Sequence, residues 1–420
     1  MTKAAIERNG EAKRRLPQGW RWVRLGEVCD ELYRYPSFYG MEHRAEGVPV
    51  IRGEHINQQG EISTDWSNYW FVSPEISLNF PRTVLKQGDL VFTVRGTIGK
   101  VGFVRESHIG SQLSPNLIRI SPSNIIESSF LWNYLRKLKG SNEAVEDSAV
   151  TVATVKATDI EKMTIPLPPL HEQKRIAAIL NEEIAAVERA RVAAEAQLEA
   201  AKILPAAYLR EVFNSSEARK WPKIAVGKIC RICGGKRLPA GTDFSDGPTP
   251  YPYIRVVDFE NGGVRIDKLK YIDEAIRKEI ARYIIRWEDV YISIAGSIGQ
   301  VGIIPDELDG AQLTENAARL VIQDSKSINR DFLARYLQSP NGQEAIKLRT
   351  NKVGQPKLAL ERIATIEIPA PPLIEQNRIT ETLQNQLLSS DRTIKFLENQ
   401  LEEISRLPAA LLRQAFKGEM

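Results

Sequence analysis

Residues 167–173 read Leu167-Pro168-Pro169-Leu170-His171-Glu172-Gln173, and a second copy, Pro371-Pro372-Leu373-Ile374-Glu375-Gln376, stands 203 positions downstream. Tandem prolines end a preceding strand and preset an extended entry. No Pro or Gly follows the first copy until Pro205, so it opens a long helix. Both copies run into nearly the same ending: Leu204-Pro205-Ala206-Ala207-Tyr208-Leu209-Arg210 before Phe213, and Leu407-Pro408-Ala409-Ala410-Leu411-Leu412-Arg413 before Phe416. A repeat this long outranks any local motif as a clue to fold. It predicts two similar halves, each a globular domain followed by a long helix. Pro205 is expected to kink the first helix or begin a new one.

Working outward, more positions repeat. Residues 221–227 match 20–26, Pro252-Tyr253-Ile254-Arg255 matches Pro49-Val50-Ile51-Arg52, and 293–302 match 93–102. Gln312-Leu313 and Asn316 echo Gln112-Leu113 and Asn116. The stretches 57–83 and 261–283 share almost nothing. One frame therefore carries two different variable surfaces. Within the frame, 90–94 is rich in β-formers, 117–120 alternates like a half-buried strand, and 130–138 reads as a short amphipathic helix. Three glycines among 96–102 suggest tight turns. A phosphate loop needs four residues between its first Gly and the Gly-Lys pair. Gly96-Thr97-Ile98-Gly99-Lys100 has two. The class is α+β.

The first helix carries Ile176, Leu180, Ile184, Val187, Ala194, Leu198 and Ala201 at steps of three, four or seven. The second carries Ile379, Leu383, Leu387, Ile394, Leu397, Leu401 and Ile404. Such stripes predict two helices packed as an antiparallel coiled coil, with internal pseudo-twofold symmetry, and offer a surface for partners. The boundaries read from the sequence are 1–166, 167–215, 216–370 and 371–420.

Apolar content of 42%, charged content of 26% and a net charge of +4 describe an ordinary globular chain that permits a nucleic-acid partner. Three cysteines make no disulfide framework and favour a reducing, cytoplasmic setting. No apolar run is long enough to span a membrane. Residues 1–15 read as a basic tail or an arm that touches DNA. Cys230 and Cys233 have knuckle spacing, but a structural zinc site needs four ligands, so no metal is expected. Neither a Walker loop nor an Asn-Pro-Pro-Tyr-like methyltransferase motif is present. Pro305-Asp306 lacks the Glu-x-Lys of a nuclease. The chain reads as a recognition and assembly subunit without catalytic residues.

The paired Pro-Pro-Leu-x-Glu-Gln entries, the Gly96–Gly102 segment with its echo at Gly296–Gly302, and the ending Leu411-Leu412-Arg413-Gln414-Ala415-Phe416-Lys417-Gly418-Glu419 resemble the specificity subunits of type I restriction–modification systems. The resemblance covers nearly the whole chain. It implies two target recognition domains, each reading one part of a split, asymmetric double-stranded DNA site. It implies conserved helices that set the spacer between those parts and hold two adenine-methylating modification subunits, with two ATP-driven restriction subunits recruited. S-adenosylmethionine, ATP and Mg would be used by those partners, and this chain would bind no cofactor. An S-like subunit of a type IIG-like or stand-alone modification system is the alternative. The copies differ at Lys100 against Gln300 and at Thr151-Val152 against Gly354-Gln355.

Base reading needs hydrogen-bonding side chains in a groove, whereas phosphate contact needs positive charge. The candidates for DNA contact are Arg52, Glu54, His55, Asn57 and Arg95 in the first half, and Arg255, Asp258, Glu260 and Asn261 in the second. Lys100, Lys236 and Arg237 are candidates for phosphate.

Overall fold

The computed structural model describes residues 16–34, 42–140, 156–351 and 356–420. The amino-terminal arm and Thr151, Val152, Gly354 and Gln355 lie outside the described residues. The chain divides into two units, Met1–Ala194 with Gln400–Met420, and Glu195–Asn399.

The first unit holds strands β1 (Arg21–Arg24), β2 (Cys29–Arg34), β3 (Val48–Ile51), β4 (Trp70–Val72), β5 (Leu90–Thr93), β6 (Val101–Phe103), β7 (Gln112–Leu113), β8 (Leu117–Pro122) and β9 (Thr164–Leu167). Its helices are α1 (Pro74–Asn79), α2 (Ser128–Gly140), α3 (Ala157–Glu161) and the start of α4 (Leu170–Phe213). An antiparallel sheet runs β2-β8-β5-β6, and a smaller sheet runs β4-β3-β7 with β3 and β7 parallel. β1 pairs with β9, so the chain's first strand is tied to the residues just before the first proline pair. Side chains alternate across β5. Leu90 and Phe92 face Phe130, Leu131 and Leu135 of α2, while Val91 joins Ile51, Ile56, Leu85 and Leu113 in a second core.

β8 departs from the half-buried strand expected of 117–120. It is covered on both faces, and Arg119 is 2% exposed. Its Nε donates to Asp89 Oδ2 at 2.8 Å and its Nη1 to the Arg82 carbonyl at 2.6 Å. A buried charge is tolerated when it is paired and hydrogen-bonded in this way. The second half repeats the device, with Arg319 Nη1 donating to Asp289 Oδ2 at 3.1 Å.

The second unit keeps the order. Its strands are β10 (Lys223–Ala225), β11 (Cys230–Gly234), β12 (Pro252–Ile254), β13 (Phe259–Glu260), β14 (Gly263–Val264), β15 (Lys270–Tyr271), β16 (Val290–Ser293), β17 (Val301–Ile303), β18 (Gln312–Leu313), β19 (Ala317–Ile322) and β20 (Glu367–Pro369). Its helices are α5 (Val226–Ile229), α6 (Glu274–Glu279), α7 (Arg330–Gln338), α8 (Pro340–Arg349), α9 (Leu360–Ala364) and the start of α10 (Leu373–Ala415). The sheets run β11-β19-β16-β17 and β15-β12-β18, and β10 pairs with β20. The hairpin β13–β14 is formed as strands in the second unit, where the first has a single bridge between Ile56 and Ile62.

The Gln of the repeated motif explains its recurrence. Gln173 is 1% exposed. Its Nε2 donates to the Pro168 carbonyl at 2.9 Å and the Ile125 carbonyl at 3.1 Å, and its Oε1 accepts from the Glu127 N–H at 2.7 Å. Gln376 makes the same three bonds, to Pro371 (2.8 Å), Ser327 (3.1 Å) and Asn329 (2.8 Å). Each long helix is thereby stapled to the loop that enters the domain helix.

Helix α4 has 44 residues and α10 has 43, and both continue through their proline, Pro205 or Pro408. No new helix begins at Pro205, because the residues beyond it are anchored: Leu209 and Phe213 are buried in the second unit's core with Ile379 and Leu383 of α10. In the first unit Leu412, Ala415 and Phe416 of the α10 end share a core with Ile176, Ala177 and Leu180 of α4. In each unit, then, the start of one long helix packs against the end of the other, in the antiparallel sense. Ile176, Leu180, Ile379 and Leu383, expected to meet partners, are instead enclosed by these cores. Leu198 and Leu397 are also buried, and Ile184, Val187, Leu387, Ile394, Leu401 and Ile404 are half-buried. The exposed large apolar side chains of the long helices include Val192, Ile203, Ile374, Leu388, Phe396 and Leu407. Among the described residues no helix is long and apolar enough to cross a membrane.

Candidate nucleic-acid interface

The glycine loop after β5 is a self-bonded turn. Thr93 Oγ1 donates to the Thr97 carbonyl at 2.6 Å and accepts from the Lys100 N–H at 2.9 Å. Ser293 does the same with Ser297 (2.5 Å) and Gln300 (2.8 Å). Gly96 and Gly99 hold φ of 74° and 89°, and Gly296 and Gly299 hold 73° and 92°, left-handed conformations that a side chain would strain. The loop forms one rim of an open cleft of about 990 Å³, whose other walls include Trp70 of β4, Asn116 and the one-turn 3₁₀ helix Gly53–His55.

That turn is held from several sides. The Arg52 N–H donates to His55 Nδ1 at 3.2 Å, which leaves the imidazole proton on Nε2, 3.4 Å from the Asn68 carbonyl. The His55 ring stacks on Tyr69 with centroids 3.7 Å apart. Burial, and then the Arg52 charge, hold the imidazole below its usual pKa. The Arg52 guanidinium lies 3.7 Å over the Trp70 ring, donates to the Asn68 carbonyl at 2.9 Å and pairs with Glu54. Lys100 Nζ donates to the Ile56 carbonyl at 2.7 Å and the Gly53 carbonyl at 3.3 Å.

These contacts sort the first-half candidates. Glu54 and Arg95 present exposed side chains to the cleft, and Arg95 has no acidic partner among the described residues. Arg52 lines the cleft as well, but its fork is engaged. His55 is 6% exposed and serves the turn's internal capping, so its place corrects the expectation of a base reader. Lys100 lines the cleft half-buried, with its ammonium held on the two backbone carbonyls of the turn. Asn57 lies outside the cleft lining, where its Oδ1 accepts from the Glu61 N–H at 2.9 Å.

In the second half Arg255 closes a fork on Asp258, with Nε–Oδ2 at 3.0 Å and Nη2–Oδ1 at 2.8 Å, and its N–H also donates to Asp258 Oδ2 at 2.8 Å. Asp258 is fully buried, which corrects it from reader to frame. Asn261 is exposed at a hairpin tip. With φ of 50° it makes, with Gly262 at 75°, the two-residue loop of the β13–β14 hairpin, where Glu260 faces Gly263. Glu260 is exposed and 4.0 Å from Arg265. Lys236 is exposed near the Tyr283 ring, and Arg237 pairs with Glu315 at 2.8 Å.

The reading by sequence missed several cleft residues. Trp70 is 44% exposed, with the His43 ring 4.0 Å from it. Val50 faces Trp70 as Tyr253 faces Lys270, so an aromatic in one half stands where a lysine stands in the other. Pro115 and Asn116 answer to Glu315 and Asn316, Arg95 to Ala295, and Glu54 to Val257. Arg34, at the end of β2, is held below the usual guanidinium pKa by burial and by the nearby Arg95 charge. The signal that could have found Trp70 is its place beside the repeated Val50 strand, in a stretch that does not repeat.

Cys230 and Cys233 sit three apart on β11, so their side chains leave opposite faces and cannot chelate together. Burial pushes the Cys230 thiol up to about 12. Among the described residues no group of three or more His, Cys, Asp or Glu could hold a metal.

The family model described as "Type I restriction modification DNA specificity domain" matches residues 17–199 and 218–406. The chain is similar to the type I restriction enzyme EcoBI specificity subunit of Escherichia coli, 24% identical over 457 aligned residues, covering 100% of this chain and 90% of that protein. It is also similar to the MjaVIII specificity subunit of Methanocaldococcus jannaschii, 21% identical over 428 aligned residues, covering 97% and 94%. Among solved structures, a chain described under "Structural basis underlying complex assembly and conformational transition of the type I R-M system" aligns with a TM-score of 0.74 at 23% identity, over 97% of this chain and 100% of that one. The HsdS subunit from Thermoanaerobacter tengcongensis aligns with a TM-score of 0.60 at 23% identity, over 98% and 100%. The structural likeness establishes a shared fold, and the family model spans both repeated frames and most of each long helix. This chain therefore belongs to the type I restriction–modification specificity family, as a non-catalytic, DNA-binding subunit that works with modification and restriction subunits.

Proposed function

We propose that this subunit recognises a bipartite, asymmetric DNA target, one part through each half, and directs adenine methylation and ATP-dependent restriction by two modification and two restriction subunits. The functional boundaries follow the sequence: recognition domains at 1–166 and 216–370, spacer helices at 167–215 and 371–420. The observation that carries this is one frame bearing two different sets of exposed side chains. The Arg cap, the glycine turn and the buried Arg–Asp pair recur, while Glu54, Trp70 and Arg95 give way to Val257, Lys270 and Ala295. Phosphate contacts position a protein on DNA, and differing base contacts specify it. Arg95, with Arg34 close by, is the cation best placed for phosphate in the first half. Lys236, Lys270 and Arg237 take that role in the second. Apolar side chains exposed on the long helices, such as Ile203 and Phe396, are offered to the modification subunits.

The test is exchange of residues 47–110 for those of another specificity subunit, in a reconstituted complex with its modification subunits. Methylation sites are then mapped on a random-sequence library. The first part of the recognised site should change and the second should stay. An unchanged first part, with methylation intact, would overturn the proposal.

A further inference from the structure

Resting on the reading that each half contacts one part of the DNA target, we infer that the tip of the one-turn helix after β3 and β12 is a base-specifying position: Glu54 accepts a hydrogen bond from an exocyclic amino group in the first half-site, and Val257 packs on a thymine methyl in the second.

The two tips share a frame. Arg52 and Arg255 stand at the start of the turn, and in both the backbone N–H donates three residues ahead, to His55 Nδ1 at 3.2 Å or Asp258 Oδ2 at 2.8 Å. His55 and Asp258 are 6% and 0% exposed. The residue between them and the glycine or valine of the turn is exposed in both halves, although the Glu54 carboxylate also reaches back to Arg52 and lies 3.9 Å from His55 Nε2. Glu54 is 61% exposed in its side chain, and Val257 is 66% exposed.

What differs is where the carboxylate sits. In the second half the acid that engages the arginine is the buried Asp258, which takes both arms of the Arg255 fork. In the first half that inner place belongs to a neutral imidazole, and the acid engaging Arg52 is at the tip. The tip is thus an anchored acceptor in one half and a bare apolar side chain in the other.

Base edges make the same distinction. In the major groove cytosine offers its N4 amino group and adenine its N6 amino group, while thymine offers an acceptor and a methyl. A carboxylate beside phosphates is unfavourable unless it finds a donor, so Glu54 both selects for an amino group and selects against its absence. Val257 can do neither. It gains only from apolar contact, which among the bases means the thymine methyl.

The experiment uses the reconstituted complex with modification subunits and a library randomised across both half-sites. Glu54→Val, Glu54→Gln and Val257→Glu are compared with the unmodified complex, with the 47–110 exchange run in parallel. The unmodified complex should require C or A at one position of the first half-site and T at one position of the second. Glu54→Val should relax that first position by roughly tenfold or more, the scale of one base contact, and leave the second half-site unchanged. Val257→Glu should alter one position of the second half-site alone. If the exchange moves specificity but Glu54→Val and Val257→Glu move no position, the tip assignment is wrong while the two-domain reading stands. If the exchange also moves nothing, that reading fails as well. Loss of all binding with both Glu54→Val and Glu54→Gln would overturn the inference, since the tip would then belong to the frame.

Discussion

Substituting Phe416→Ala, four residues from the end of the sequence, should destabilise the first globular unit selectively. Phe416 is 6% exposed. Its ring meets Phe130 at 5.2 Å and Tyr134 at 5.1 Å between centroids, both edge-on, inside the core that also holds Ile176 and Leu180. Removing a buried phenylalanine costs about 3–5 kcal/mol, and edge-on aromatic pairs contribute about 0.5–1.5 kcal/mol each to such totals. The residue lies just past the end of α10, where the last turn can collapse partly into the gap, so we expect the low end, about 3 kcal/mol. For a unit of roughly 200 residues this lowers the melting temperature by about 6–12 °C. Calorimetry should show one transition moving ahead of the other. Hydrogen exchange should rise in α2 and in residues 170–184, and remain unchanged in α5 and α7. Phe213→Ala should do the converse, because Phe213 meets Phe332 at 5.5 Å and Tyr336 at 5.2 Å in the second unit. Exchange that rises only over residues 410–420, with no change at Phe130 or Tyr134, would refute the claim that the helix end is part of the first core.

Gln173→Ala or Gln376→Ala strands a buried N–H and two carbonyls; denaturant titration should show a loss of about 1–3 kcal/mol for each, in its own unit. His55 and His108 are both held below the usual imidazole pKa, chiefly by burial, so the folded first unit takes up fewer protons than the unfolded chain. Stability from these groups is complete above pH 6.5, the unperturbed value, and is lost as pH falls through it toward their folded values. Asp258 and Leu308 occupy the matching places in the second unit, so melting between pH 7.5 and 5 should show the first transition falling faster. Lys100→Met should disorder the Gly53–His55 turn and weaken first-half recognition, while the salt dependence of DNA binding changes by less than one charge. A full unit of slope would return Lys100 to the role of free phosphate contact.

Much of the fold was legible because repetition reports backbone geometry. Pro168-Pro169 and Pro371-Pro372 constrain φ wherever they occur, and Gln173 and Gln376 repeat because only an amide can donate twice and accept once at that spot. The glycines of the turn repeat for the same reason. The helix stripes were legible as apolar faces, but not as to what covers them. Ile176 and Leu383 look like interface residues until the chain's own far helix end is placed on them, and that contact is set by a pairing hundreds of residues apart.

The site was less legible, and His55 shows why. Difference between the halves is a sound guide to reading surface only where the residue is exposed. His55 and Asp258 differ in type, charge and shape, yet both accept the N–H three residues behind them and both are buried. An imidazole nitrogen and a carboxylate oxygen are interchangeable as acceptors for that cap, so the difference between them carries no information about DNA. The price of the exchange appears one residue away: once the inner acceptor is neutral, the arginine needs an acid elsewhere, and Glu54 supplies it where the second half has Val257. In each half one acid pairs with the arginine, the exposed Glu54 in the first and the buried Asp258 in the second. Sequence comparison alone sees two differences of equal weight, and the geometry of the turn assigns one to the fold and the other to the cleft.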